Sequence, residues 1–194
     1  AGSPQANEHA GFAAIFRFRN DTWEPFSSII PGSQVDDNCG FAVDISSNGS
    51  TVVVGCPGLL LDRPGRVLVY FYDSQAGWRN RGTITEGGGT ASLMGYSVAL
   101  SGDGSVLAVG SPGFDDGCDY SDGGQVTIYS FHSVNGLFSL DGRVSGVAQN
   151  DLCGFSVDIS DDGKVVAFGC PGATVGLYSF AGRVESVKMG TEIQ

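Results

Sequence analysis

The stretch CGFAVDISSNGSTVVVGC, Cys39–Cys56, returns as CGFSVDISDDGKVVAFGC at Cys153–Cys170. Between them, MGYSVALSGDGSVLAVGS at Met94–Ser111 is the same unit with both cysteines replaced together. Independent small apolar residues have no reason to be lost as a pair, whereas bonded partners do. The chain is therefore a tandem repeat, and Cys39–Cys56 and Cys153–Cys170 are expected to be disulfides. The plainer reading is four unlinked small apolar residues.

Around these units, the Gly-aromatic pairs Gly40-Phe41, Gly95-Tyr96 and Gly154-Phe155 each open an alternating apolar run. A turn comes next at Asn48-Gly49, Asp103-Gly104 or Asp162-Gly163, then a second run ending in Gly-x-Pro at Pro57, Pro112 or Pro171. Ala1-Gly2-Ser3-Pro4 is a further copy of that ending. Third runs are FAAIFRF, RVLVYFY, QVTIYSF and TVGLYSF, the last at 174–180; fourth runs start at Trp23, Trp78 and Leu137. Period-two alternation, Val, Ile, Tyr and Phe enrichment and Gly/Asn/Asp boundaries mark strands, and no window carries a helical period. Asn-Gly and Asp-Gly suit tight hairpins. Four short antiparallel strands per repeat of this length predict an all-β propeller. Such small sheets must pack against their neighbours. The boundaries read as a partial blade at 1–38, blades at 39–93 and 94–152, and a last, incomplete blade at 153–194. That makes about three and a half blades, an arc with open edges. Closure would come from another chain, from the rest of a longer polypeptide, or from self-association, and the isolated segment is not expected to be a stable monomer.

These residues resemble the FG-GAP repeats of integrin alpha-chain propellers. The motif Asp-x-Phe-Gly-x-Ser-Val is matched at Asp37–Val43 and Asp151–Val157. The Gly-Ala-Pro ending is matched at Gly55–Pro57 and Gly110–Pro112, and Gly-x-Val-x-Val-Tyr at Gly65–Tyr70 and Gly124–Tyr129. The cysteine pair occupies the Phe of the first motif and the Ala of the second, so a disulfide would replace a side-chain contact across the first hairpin. A two-residue turn centred on Asn48-Gly49 sets Cys39 opposite residue 58. A bulge or a different turn must therefore bring it to Cys56.

The resemblance implies calcium in the turn between the first two strands. Asp158, Ser160 and Asp162 fill the first three ligand positions there, but the closing carboxylate is replaced by Val166. A plain hairpin turn explains the same residues, and no cofactor is expected. The resemblance also implies a partner-binding loop face. Its longest loop, 111–124, carries Phe114, Asp115, Asp116, Asp119, Tyr120 and Asp122. A solvated acidic loop is the plainer reading. Trp23 and Trp78 are read as blade packing, and Arg17, Arg19, Arg79 and Arg81 as solvated strand faces.

With 194 residues, 41% hydrophobic, the chain can bury a sizeable core. Its net charge of −11 excludes nucleic acid and anionic membrane surfaces as partners. No apolar run is long enough to span a bilayer. Disulfides, with sequons at Asn20 and Asn48, imply a secreted or cell-surface protein in an oxidising compartment. Cys118 is left over, as a free thiol or a link to another chain. His9 and His132 stand at unrelated repeat positions, and no nucleophile, metal or phosphate motif is present. The expectation is a non-catalytic binding or adhesion module, not an enzyme, presenting loops to a protein or glycan partner. The alternative is a structural subunit of an extracellular assembly, completed through its open blade edges.

Overall fold

The computed structural model describes residues 1–59, 64–85, 91–115, 122–173 and 183–188. No helix occurs among them. The first strands are β1 (Gly2–Ser3), β2 (Phe12–Ala13), β3 (Phe16–Arg19), β4 (Thr22–Pro25) and β5 (Ile30–Pro31). β2 pairs with β1 and β5, and β3 pairs with β4, so together they form the outer part of one blade. Two complete four-stranded meanders come next. One is β6 (Ala42–Ile45), β7 (Thr51–Cys56), β8 (Arg66–Asp73) and β9 (Gly77–Ile84). The other is β10 (Ser97–Leu100), β11 (Val106–Ser111), β12 (Gln125–His132) and β13 (Leu137–Ser145). The last sheet is β14 (Ser156–Ile159), β15 (Val165–Cys170) and β16 (Arg183–Lys188).

The third strand of that last blade differs from the sequence reading. β16 pairs Cys170 with Arg183 just as Cys56 pairs with Arg66 and Ser111 with Gln125. The third-strand motif is therefore Gly182-Arg183-Val184, in step with Gly65-Arg66-Val67 and Gly124-Gln125-Val126. The run at 174–180 lies outside the described residues.

The core belongs to the junctions between blades rather than to the blades. Ala13, Ile15 and Ile30 of the partial blade bury against Val52, Val54 and Leu68 of the next. Val53, Val67 and Val69 bury against Val98, Leu100, Leu107 and Val109. Ala108, Val126 and Ile128 bury against Ile159, Val166 and Phe168. Because β7 is covered on both faces, its run of three valines does not alternate in polarity. A fully buried valine contributes about 1.5–3 kcal/mol, and these contacts exist only where a second blade is present. β6, β10 and β14 lie side by side as the inner strands: the Leu100 N–H donates to Asp44 Oδ2 across one junction at 2.7 Å.

Candidate functional site

Each inner strand begins at a bulge. The Gly40 N–H donates to the Gly55 carbonyl at 3.0 Å while the Gly40 backbone turns to φ 84°, a left-handed value suited to glycine. Gly40 and Phe41 are thus two extra residues between Cys39 and Ala42, which pairs with Gly55; they close the two-residue register gap and aim Cys39 at Cys56. Both disulfides, Cys39–Cys56 and Cys153–Cys170, are formed, with Cα atoms 4.0 Å apart. Gly95 and Gly154 repeat the bond, donating to Gly110 and Gly169 at 3.1 Å. In the middle blade, Met94 and Ser111 fill the disulfide's place and are fully buried.

The bulge also places the next side chain. Phe41, Tyr96 and Phe155 sit at the heads of three neighbouring inner strands and form an arc. The Phe41 and Tyr96 ring centroids are 4.7 Å apart, and those of Tyr96 and Phe155 are 4.9 Å apart. Both pairs are tilted by 46°. Phe41 and Tyr96 are half-buried, whereas Phe155, at the open end, is 44% exposed. Sequence reasoning used these aromatics as repeat markers only. Their recurrence right after a bulge glycine was the available signal for a shared surface.

The loops between second and third strands open at the same end of the molecule. Phe114 closes the base of the 111–124 loop: its carbonyl accepts the Gly124 N–H at 3.1 Å. The Asp122 carbonyl accepts the Leu152 N–H at 3.1 Å, tying the loop to the next blade. Asp115 is exposed. Asp116, Cys118, Asp119 and Tyr120 lie outside the described residues. A hollow of about 130 Å³ is lined by Gln34, Asp37, Cys56, Pro64, Gly65 and Arg66. Asp37 Oδ2 accepts the N–H groups of Ser33 at 3.0 Å and Gln34 at 2.8 Å, and pairs with the Arg66 guanidinium. Asp151 Oδ2 accepts those of Val147 at 2.9 Å and Ala148 at 3.0 Å in the same way. At the equivalent point the Ser92 hydroxyl donates to the Pro64 carbonyl at 2.7 Å. These aspartates hold the entry loops, a structural task that recurs with the repeat.

The other nominated residues stand apart from this end. The Ser160 hydroxyl donates to Asp162 Oδ1 at 2.7 Å, and the Ile159 N–H donates to Asp158 Oδ1 at 2.9 Å. The nominated calcium oxygens thus serve the hairpin. No group of three or more His, Cys, Asp and Glu side chains converges among the described residues. Asn20 lies exposed in the β3–β4 turn, with φ 50°. Asn48 Oδ1 accepts from Ser46 Oγ at 2.8 Å, Ser50 N at 2.9 Å and Ser50 Oγ at 2.6 Å. His9 and His132 are exposed.

Two packing expectations need correction. Trp78 packs on Phe26 of the preceding blade and on Tyr72, but Trp23 is 68% exposed and, among the aromatic rings of the described residues, meets only Phe18, at 5.5 Å. Arg81 is not a solvated face residue: its guanidinium lies 4.5 Å from the Phe71 ring centre and 4.2 Å from that of Phe131, bridging two blades. Burial lowers its pKa from the ordinary arginine value. Arg17 also stacks, 4.6 Å over Phe26.

No family model and no curated protein matches the chain. Solved structures do. A protein of Bacteroides uniformis described as a 6-phosphogluconolactonase overlays 86% of this chain, with a TM-score of 0.54 and 19% identity. A Bacteroides fragilis protein of the same description overlays 88%, at 0.50 and 12% identity. The periplasmic gluconolactonase of Pseudomonas aeruginosa overlays 82%, at 0.51 and 17% identity. The chain spans 43%, 51% and 43% of those proteins, so it covers about half their length or less. The fold is a partial β-propeller. These likenesses also correct the functional expectation. The propellers that this sector resembles carry gluconolactonase names, and with that finding the expected non-catalytic adhesion module and its structural alternative are set aside. The exclusion of an enzyme is withdrawn with them.

The two formed disulfides fit an oxidising compartment. No helix among the described residues is long and apolar enough to cross a membrane.

Proposed function

We propose that the chain supplies the substrate-binding sector of a gluconolactonase-like propeller. Its completed ring takes a neutral sugar lactone at the head of the inner strands and opens it by hydrolysis. Water adds to the lactone carbonyl, the ring C–O bond breaks, and the products are a carboxylic acid and a free hydroxyl. The aromatic arc carries this reading. Three rings at successive blade heads offer the apolar, quadrupolar surface against which the C–H face of a sugar ring rests. The names of the structural neighbours point to the reaction class. The net charge of −11 favours the unphosphorylated lactone, because a phosphate would approach against the field of the whole chain. The disulfides favour a site of action outside the cytosol, secreted or periplasmic. This sector contributes the platform, and the groups that activate water are assigned to the blades that complete the ring. We keep the FG-GAP class as a proposal for the blade type, supported by the motifs at Asp37–Val43 and Asp151–Val157, without the adhesive role of integrin propellers.

The test is hydrolysis by the ring-complete protein of glucono-1,5-lactone and of its 6-phosphate. The unphosphorylated lactone should be the better substrate. Tyr96→Ala should raise its KM about fivefold, equivalent to roughly 1 kcal/mol of stacking, with kcat little changed. Absence of hydrolysis with both lactones would contradict the reading.

A further inference from the structure

We propose that Asn20 carries an N-linked glycan and that Asn48, the other asparagine in a glycosylation sequence, carries none. Both stand two residues ahead of a hydroxyl side chain, in Asn20-Asp21-Thr22 and Asn48-Gly49-Ser50. The structure separates them by what their side chains already do.

At Asn48 the fold accounts for both members of the motif. Asn48 Oδ1 accepts from Ser46 Oγ, from the Ser50 N–H and from Ser50 Oγ. One blade on, Asp103 Oδ1 accepts from Ser101 Oγ at 2.8 Å, from the Ser105 N–H at 2.9 Å and from Ser105 Oγ at 2.7 Å. The same three bonds thus form where an aspartate leaves no amide to glycosylate. Ser50 is explained by the turn, as Ser105 is. Next to Asn48, the Ser47 hydroxyl donates to Asp161 Oδ1 at 3.0 Å, drawing the inner turns of two blades together.

At Asn20 the fold accounts for neither member. Arg19 pairs with Thr22, so Asn20 and Asp21 form a two-residue turn, with φ 50° and 59°. Asn and Asp suit this left-handed backbone. Among the described residues, the Asn20 carboxamide and the Thr22 hydroxyl make no hydrogen bond. Turn side chains of the other outer hairpins do. Asp73 Oδ1 accepts the Gln75 and Ala76 N–H groups at 2.8 Å, and Asn135 Oδ1 accepts the Leu137 N–H at 3.1 Å. Asn20, Asp21 and Thr22 are all exposed. That exposure belongs to the position and not to the first blade: in the two complete blades the corresponding tips, 74–76 and 133–135, are exposed as well. A glycan at this tip projects from the outer hairpin, whereas the aromatic arc stands at the heads of the inner strands.

The donor is a lipid-diphosphate-linked oligosaccharide of an oxidising secretory compartment, the setting that the two disulfides fit. Asn20 Nδ2 bonds to the anomeric carbon, the bond from that carbon to the diphosphate oxygen breaks, and Nδ2 gives up one proton. This modification does not depend on the reaction assigned to the ring.

The native protein would be digested and treated with peptide N-glycosidase in heavy-oxygen water, which turns a glycosylated asparagine into a labelled aspartate. Label at Asn20 and none at Asn48 is the expected result. The ring-complete protein secreted from eukaryotic cells gives a second readout on a denaturing gel. Thr22→Ala should remove one glycan and Thr22→Ser should keep it. Ser50→Ala, which spares the Ser50 N–H bond to Asn48, should leave the mobility unchanged. Unlabelled Asn20 in the native protein would overturn the proposal, as would label at Asn48 or a gel shift that survives Thr22→Ala.

Discussion

Gly110 shows what a single position is asked to do here. A Cβ built on it would stand 2.0 Å from the Gly154 carbonyl oxygen, and one on Gly55 the same distance from that of Gly95. Gly2, Gly55 and Gly110, the glycines of three Gly-x-Pro endings, thus press on the bulge glycine of the following blade. Backbone meets backbone, so no side chain can give way. Gly110→Ala should cost about 3 kcal/mol or more in denaturant unfolding, because the two blades must part to admit a methyl group. The cysteine pair adds a second test at this scale. Met94 and Ser111 share the bulge geometry of the bonded pairs, with Gly95 N to Gly110 O at 3.1 Å against 3.0 Å for Gly40 to Gly55. Met94→Cys with Ser111→Cys should form a third disulfide, seen as a loss of two hydrogens by mass, and stabilise by up to about 3 kcal/mol for a loop of this size. These pairings were legible in the sequence because they repeat. The arc of Phe41, Tyr96 and Phe155 was not, because its contacts cross from blade to blade and leave no periodic trace within one.

Among the elements, the inner hairpins share one turn. In each, the residue at Asn48, Asp103 or Asp162 accepts from a serine two positions before it and from the backbone two positions after it. Asp103 is held below the ordinary aspartate range mainly by the Ser105 hydroxyl, then by the Ser105 N–H and the Ser101 hydroxyl. Asp162 is lowered chiefly by the Ser160 hydroxyl, and Asp73, in the outer hairpin, by the Gln75 and Ala76 N–H groups. A carboxylate whose pKa falls on folding stabilises the native state above its unfolded value, about 3.9, and that stability is lost as pH drops through the lower folded value. Acid titration of stability should show such a decline. Asp103→Asn, which imitates Asn48, should leave stability at pH 7 near wild type and shrink the decline. An unchanged decline would assign it to other carboxylates. The strands were legible from alternation, yet one was misplaced. TVGLYSF alternates as well as GRVESV does, and only the pairing of Cys170 with Arg183 tells them apart. The stacking of Arg81 was hidden too, since an arginine on an alternating strand reads as solvated until a neighbouring blade brings Phe131 over it.

For the whole molecule, the repeat left no ambiguity about the fold, but it carried no mark of the activity that the fold serves. Blade architecture is shared by adhesion modules and by propellers named for gluconolactonases, so function must come from a site. On the reading proposed above, this chain supplies one part of that site. Propellers use four to eight blades, and the repeat itself does not choose among them. The decisive measurement is a count of blades in single-particle images of the native protein, viewed down the axis. The expected result is a closed ring of four to eight blades in which this chain is one arc. An open arc would contradict it.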